Sequence, residues 1–233
     1  DGIIPNIDGG TFIAGKFEDT LPTFYSKPRP MASIINFDAD LYSSTLCALN
    51  YSKSVIDKDT ILIFDVFIIN KNWEQDEYKA LNQFYKMCEY ADNNIRICLE
   101  FGEFTTVKSL SKAIDFVNTI NHPVAGILID LMHINRSMED IPDLNNPIFS
   151  YIQGCDFYQS SKKLTGDNYI TAAIDDRCCL SHGEAKKEEI IKMCKSNLDV
   201  SLEIRSKDLR DKFPDPYERA SYIFKNCIRE DYL

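Results

Sequence analysis

The chain has 233 residues, enough for one large domain or two small ones. A hydrophobic fraction of 44% and a charged fraction of 27% are those of an ordinary globular protein, and no apolar run approaches the roughly 20 residues that cross a bilayer as a helix. A net charge of -10 with a pI near 4.8 repels phosphate backbones, so nucleic acid is not an expected partner.

The first residue is Asp1, and the apolar character of residues 2–5 is too brief for a signal peptide. The start therefore reads as truncated or processed. The 8 cysteines form no C-x-x-C pair; Cys178 and Cys179 are adjacent, and Cys98 and Cys155 fall inside apolar strand-like runs. This usage fits reduced, buried thiols in a cytoplasmic protein and fits no usual zinc spacing.

Residues 1–30 are loop-rich, with a short strand expected within 10–17 and a helix over 17–25 interrupted by Pro22. An apolar strand over 32–37 ends in Asp38-Ala39-Asp40. A helix follows over 43–53, then a strand over 60–64 that ends in Asp65. A polar loop at 70–76 leads into a long helix from 77 to about 93, on which Tyr78, Leu81, Phe84, Tyr85 and Cys88 recur at helical spacing. Strands are then expected over 95–101, 124–131, 148–155 and 200–204. Helices are expected over 107–121, 138–144, 186–196 and 216–226. Residues 156–181 read as a long loop covering an active site. Strands alternating with helices argue for an α/β fold with a parallel sheet.

The stretch ILIDLMHINR, residues 127–136, carries the chemistry most plainly. Its apolar run suits a strand buried on both faces, and it ends by delivering Asp130, His133 and Arg136. Three other predicted strands carry Glu100, Gln153 and Glu203. Three carboxylates and an amide oxygen are hard ligands suited to Mg²⁺ or Mn²⁺. The alternative is four separate strand-terminal groups, each hydrogen-bonded locally. Asp38, Asp40 and Asp65 pose the same choice between a shared cation and plain loop carboxylates.

Two resemblances bear on that choice. FEDTLPTF, INFDADLYSSTLCAL, TILIFDVF and NWEQDEYKALNQF, within residues 10–84, resemble the back half of a class I methyltransferase of the macrocin O-methyltransferase group. That likeness implies a divalent metal at Asp38 and Asp65. Val66 stands where a second acidic residue or an amide is usual, and it cannot ligate. The glycine-rich loop for S-adenosylmethionine is absent, so an S-adenosylmethionine-dependent O-methyltransferase is the alternative function.

ICLEFGEF, GILIDLMHINRS, YIQGCD, LSHGEAKKEEI and VSLEIRSKDLR, within residues 85–229, resemble the C-terminal half of the xylose-isomerase-like TIM barrels. That superfamily takes in sugar-phosphate isomerases and epimerases, dehydroshikimate dehydratases and endonuclease-IV-like proteins. The likeness implies a divalent metal, Mn or Mg with Co or Zn as further candidates, on Glu100, Asp130, Gln153 and Glu203. It implies Glu100 and Glu203 as catalytic acid and base, and His133, Arg136 and Glu184 as substrate-binding. The implied reaction is proton abstraction next to a carbonyl, giving isomerisation, epimerisation or elimination from a small hydroxy-carbonyl substrate.

Together the likenesses divide the chain into a partial Rossmann-like segment at 1–84 and the last four βα units of a barrel at 85–233, as a gene fusion or its inactive remnant would. A half barrel leaves two sheet edges open. The N-terminal strands or a second copy of the chain, as a homodimer, are the expected cover.

Overall fold

The structure is a computed structural model that describes residues 9–39, 42–57, 60–65, 77–90, 96–158, 164 and 166–227. Two compact units divide at Ile97/Cys98.

In the first unit, α1 (Phe17–Tyr25) precedes β1 (Ile34–Asp38), α2 (Tyr42–Ser52), a 3-10 turn at Lys53–Val55, β2 (Ile61–Asp65) and α3 (Glu77–Tyr90). The strands β1 and β2 pair in parallel, from Ile34 opposite Ile61 to Asp38 opposite Asp65. Parallel neighbours need a crossover, and α2 supplies it. Thr60 ties the entry of the two strands together: its hydroxyl donates to the Ala32 carbonyl at 2.8 Å. Phe84, Met87 and Cys88 are buried on α3 at helical spacing. The strand expected within 10–17 does not form; residues 9–16 carry Gly9 and Gly15 at positive φ, which breaks an extended run. The helix α1 runs through Pro22 and ends at Tyr25.

The second unit is built on one sheet in the order β3-β4-β5-β8, with β3 at Ile97–Leu99, β4 at Ala125–Asp130, β5 at Phe149–Gly154 and β8 at Val200–Leu202. The pairs β4–β5 and β5–β8 are parallel, with Asp130 opposite Gln153 and Gly154 opposite Leu202. The central strand β4 is buried at every position, as its unbroken apolar run requires. The helix α4 (Leu110–Ile120) starts on a Ser109 cap and stops at Asn121, whose φ of 47° is left-handed. Its first turn is also held from a distance: the Glu139 carboxylate accepts the Leu110 and Ser111 N–H groups at 2.7 and 3.0 Å.

Two expectations for the second unit are corrected by the structure. The helix placed at 138–144 lies earlier, as α5 (Leu131–Ser137), and residues 139–143 are not helical. Asp130 ends the strand and caps this helix, accepting the His133 N–H at 3.0 Å, while Met138 ends it at a left-handed φ of 60°. The loop at 156–181 contains β6 (Asp156–Phe157), α6 (Gly166–Asp175) and β7 (Arg177–Cys178), with β6 and β7 antiparallel. Tyr169, Ala172 and Ala173 explain the helix: they recur at one face and are buried. The helices α7 (Lys187–Cys194) and α9 (Pro216–Cys227) lie near their expected bounds, and a further helix, α8 (Lys207–Lys212), capped by Ser206, stands between β8 and α9. No helix among the described residues is long and apolar enough to cross a membrane.

Candidate active site

Parallel strands in one sheet bring their C-terminal ends to one rim. Glu100 follows β3, Asp130 ends β4, Gln153 lies near the end of β5, and Glu203 follows β8 with its N–H donating to Gly154 O at 3.1 Å. The short strand β7 brings Arg177 to the same place.

The contacts join these residues into one network. Asp130 has no exposed surface; Arg177 Nη1 lies 2.6 Å from its Oδ2 and 3.4 Å from Glu203 Oε2. Arg177 also donates from Nη1 to Cys155 Sγ at 3.2 Å and from Nε to the Ala173 carbonyl at 3.0 Å. His133 Nε2 stands 3.5 Å from Glu100 Oε1, and its Nδ1 is 2.8 Å from the Tyr169 hydroxyl. The Gln153 amide lies between the two glutamates. With its nitrogen turned inward it donates to Glu100 Oε1 at 2.7 Å and Glu203 Oε2 at 3.2 Å. Turned over, it adds an oxygen to the carboxylates. Ligand atoms of Glu100, Asp130 and His133 lie within 4.8 Å of one another, a group able to hold a metal ion.

Electrostatics follow from this packing. Burial pushes the Glu203 carboxyl up; Asp130 and Glu100 push the same way, and Arg177 only partly opposes them, so it settles at about 7. Burial would raise Asp130 too, but Arg177 and His133 hold it below the ordinary carboxylate range. Burial disfavours a charged His133, yet Asp130 and Glu100 outweigh that and raise it.

The other anticipated residues have separate places. The Arg136 side chain is buried, donates to the Tyr158 carbonyl at 2.7 Å and lies over the Phe157 ring at 5.1 Å. Glu184 is exposed, and its charge acts on Arg136; its N–H donates to Phe157 O at 2.8 Å. Buried Asp156 fixes that loop by accepting the Phe157, Gly183 and Ala185 N–H groups at 2.7, 2.9 and 2.9 Å. A Cβ at Gly183 would collide with Asp156 Oδ1 and the Phe157 carbonyl. His122 accepts the Val124 N–H at 3.3 Å, as a loop residue does. Asp38 is exposed and stands opposite Asp65 in register. Asp40 and Val66 lie outside the described residues, and so does the Asp65 side chain.

Arg177, Tyr169 and Asp156 were missed by the sequence reading. The signal that could have found Arg177 is electrostatic: several buried acids demand a cation from some other part of the chain. Tyr169 was legible only as one member of a short apolar helical face.

The sequence matches no protein-family model and no curated protein. Solved structures do match. The IolI protein, determined with a bound zinc atom, shares 14% identity over 91% of this chain and 80% of that one, with a TM-score of 0.61. The probable 3-DHS dehydratase AsbF of Bacillus anthracis, involved in petrobactin synthesis, shares 16% identity over 83% and 77%, with a TM-score of 0.53. A xylose isomerase domain protein from Planctomyces limnophilus shares 14% over 83% and 79%, with a TM-score of 0.51. At such identities the likeness is one of fold, that of the xylose isomerase-like TIM barrel. These structures lend nothing to a methyltransferase-like residue range 10–84. The IolI match, at 91% of the chain, extends into that range.

Proposed function

We propose that the chain is a divalent-metal-dependent enzyme that removes a proton next to the carbonyl of a sugar, sugar phosphate or related hydroxy-carbonyl compound, acting as an isomerase, an epimerase or a lyase. The observation that carries this reading is the convergence of Glu100, Asp130, Gln153 and Glu203 on one rim around the Arg177 guanidinium. Three carboxylates meet one guanidinium and one imidazole there, and a dication taking the place of the Glu203 proton would complete the balance. An oxygen-rich set suits Mg²⁺ or Mn²⁺, with the Gln153 amide turned oxygen-inward. Such an ion, when bound, polarises a carbonyl and stabilises charge on its oxygen.

The chain's own groups supply the proton chemistry. Glu203, pushed up to about 7, is poised to accept a proton near neutrality and to return it. Glu100 lies across the Gln153 amide from it. Return from the second acid to the opposite face inverts a centre; loss of a group β to the carbanion gives elimination. The fold likeness to a probable dehydratase supports the elimination branch.

Mn²⁺ or Mg²⁺ is expected to raise the melting temperature with concentration, as any ligand of the folded state does. Glu203→Gln is expected to abolish that shift. Proton-to-deuterium exchange on a panel of hydroxy-carbonyl compounds in D₂O then identifies the substrate class. A melting temperature indifferent to both ions removes the metal reading.

A further inference from the structure

The metal reading leaves the role of His133 to be decided. Its ring is near enough to Glu100 and Asp130 to join a metal, so the position of its proton matters. A neutral imidazole has one N–H and one lone pair, and the partner of one nitrogen dictates what the other presents.

Tyr169 is that partner. Its side chain is fully buried, its ring stacks on His133 with centroids 5.9 Å apart and planes 17° apart, and its hydroxyl is 2.8 Å from Nδ1. A carboxylate oxygen of Glu100 faces the other ring nitrogen, Nε2, at 3.5 Å, and a carboxylate there calls for an N–H. The phenol hydrogen must find an acceptor, since a buried hydroxyl without one is disfavoured. The acceptor in reach is His133 Nδ1. Phe104 packs edge-on against the ring at 5.7 Å, and the backbone N–H of His133 is fixed to Asp130 Oδ1 at 3.0 Å.

We infer that Tyr169 is a positioning residue that keeps the proton of neutral His133 on Nε2, so that the imidazole faces Glu100 as an N–H donor and stays out of the metal's ligand set. Glu100, Asp130, Gln153 and Glu203 would then hold a cation through oxygen alone, and with Glu100 so engaged His133 Nε2–H would be available to a substrate oxygen. This inference rests on the proposed metal reading for its consequence, but the proton's position is read without any metal.

The test is long-range ¹H–¹⁵N correlation of the metal-free protein at alkaline pH, with the His133 signals identified by their loss in His133→Gln. The wild type is expected in the Nε2–H form. Tyr169→Phe keeps the ring stack and removes the hydroxyl, and is expected to lower the tautomer ratio by about fivefold, the effect of one neutral hydrogen bond. A wild-type Nδ1–H form, or an unchanged ratio in Tyr169→Phe, overturns the inference; the wild-type spectrum decides even if the variant folds poorly. In Mn²⁺-loaded protein, electron spin echo spectra are expected to lack directly coordinated ¹⁴N, and its presence also overturns the inference. Failure to bind Mn²⁺ while the Nε2–H form persists sinks the proposed function and leaves the role of Tyr169 standing.

Discussion

Asp38 faces Asp65 at the ends of β1 and β2, as Asp130 faces Gln153 at the ends of β4 and β5. The backbone arrangement is the same: parallel strands in register with oxygen-bearing side chains at their C-terminal ends. The surroundings differ. The strand β1 is exposed at Ile34, Asn36 and Asp38, whereas β4 is buried throughout. An exposed carboxylate is satisfied by water and needs nothing from the protein. A buried one must be given partners, and Asp130 has two: the first turn of α5 and the Arg177 guanidinium. Strand-end acids become a candidate site through burial and the compensating groups that burial demands.

The largest way to break this contrast is Arg177→Met. It leaves Asp130 buried without its counter-charge and is expected to cost about 3–5 kcal/mol in urea unfolding. Adding Asp130→Asn should recover much of that loss, because the orphaned charge goes with it. If Arg177→Met is as stable as the wild type, the ion pair is not what holds Asp130.

Glu203 sharpens the contrast through pH. Its folded carboxyl titrates at about 7, above its ordinary 4.5, so the folded state binds the proton more tightly. The stability it contributes is present in full below about pH 4.5 and is lost as pH rises through about 7. Metal-free wild type should therefore lose about 1–3 kcal/mol relative to Glu203→Gln between pH 4.5 and 8. Parallel stability–pH curves for the two proteins would refute this.

Asp156 is a buried acid satisfied wholly by backbone. Asp156→Asn should cost about 1–3 kcal/mol by weakening N–H bonds to a charged acceptor. Faster amide exchange at Gly183 and Ala185 is the accompanying sign that the Glu184 loop has loosened. Asp38→Asn should have the smallest effect, within about 0.5 kcal/mol, and should leave the Mn²⁺ response unchanged. A lost response would place Asp38 in the same class as Asp130.

Much of the scaffold is legible in the residues. The apolar run before Asp130 specified a buried strand, and the alternation of runs specified the four strands of the second sheet. The identity of the residues at their ends followed from where those runs stop. The segment at 156–181 was not legible because its helix is short and marks its buried face partly with alanines, and its strands are two residues long, too short for any period to register. The helix after Asp130 was placed late because the cap that starts it is also the last residue of a strand, and pattern alone cannot give one residue both jobs.

The sequence by itself determined which oxygen-bearing side chains stand at strand ends, because hydrophobic periodicity and its interruption are local properties. Only the tertiary structure decided that Arg177, separated from Asp130 by two intervening strands and two helices, neutralises it, and that Tyr169 meets His133. Those pairings arise from burial, which makes an unpaired charge or hydroxyl costly, and burial is a property of the packed chain.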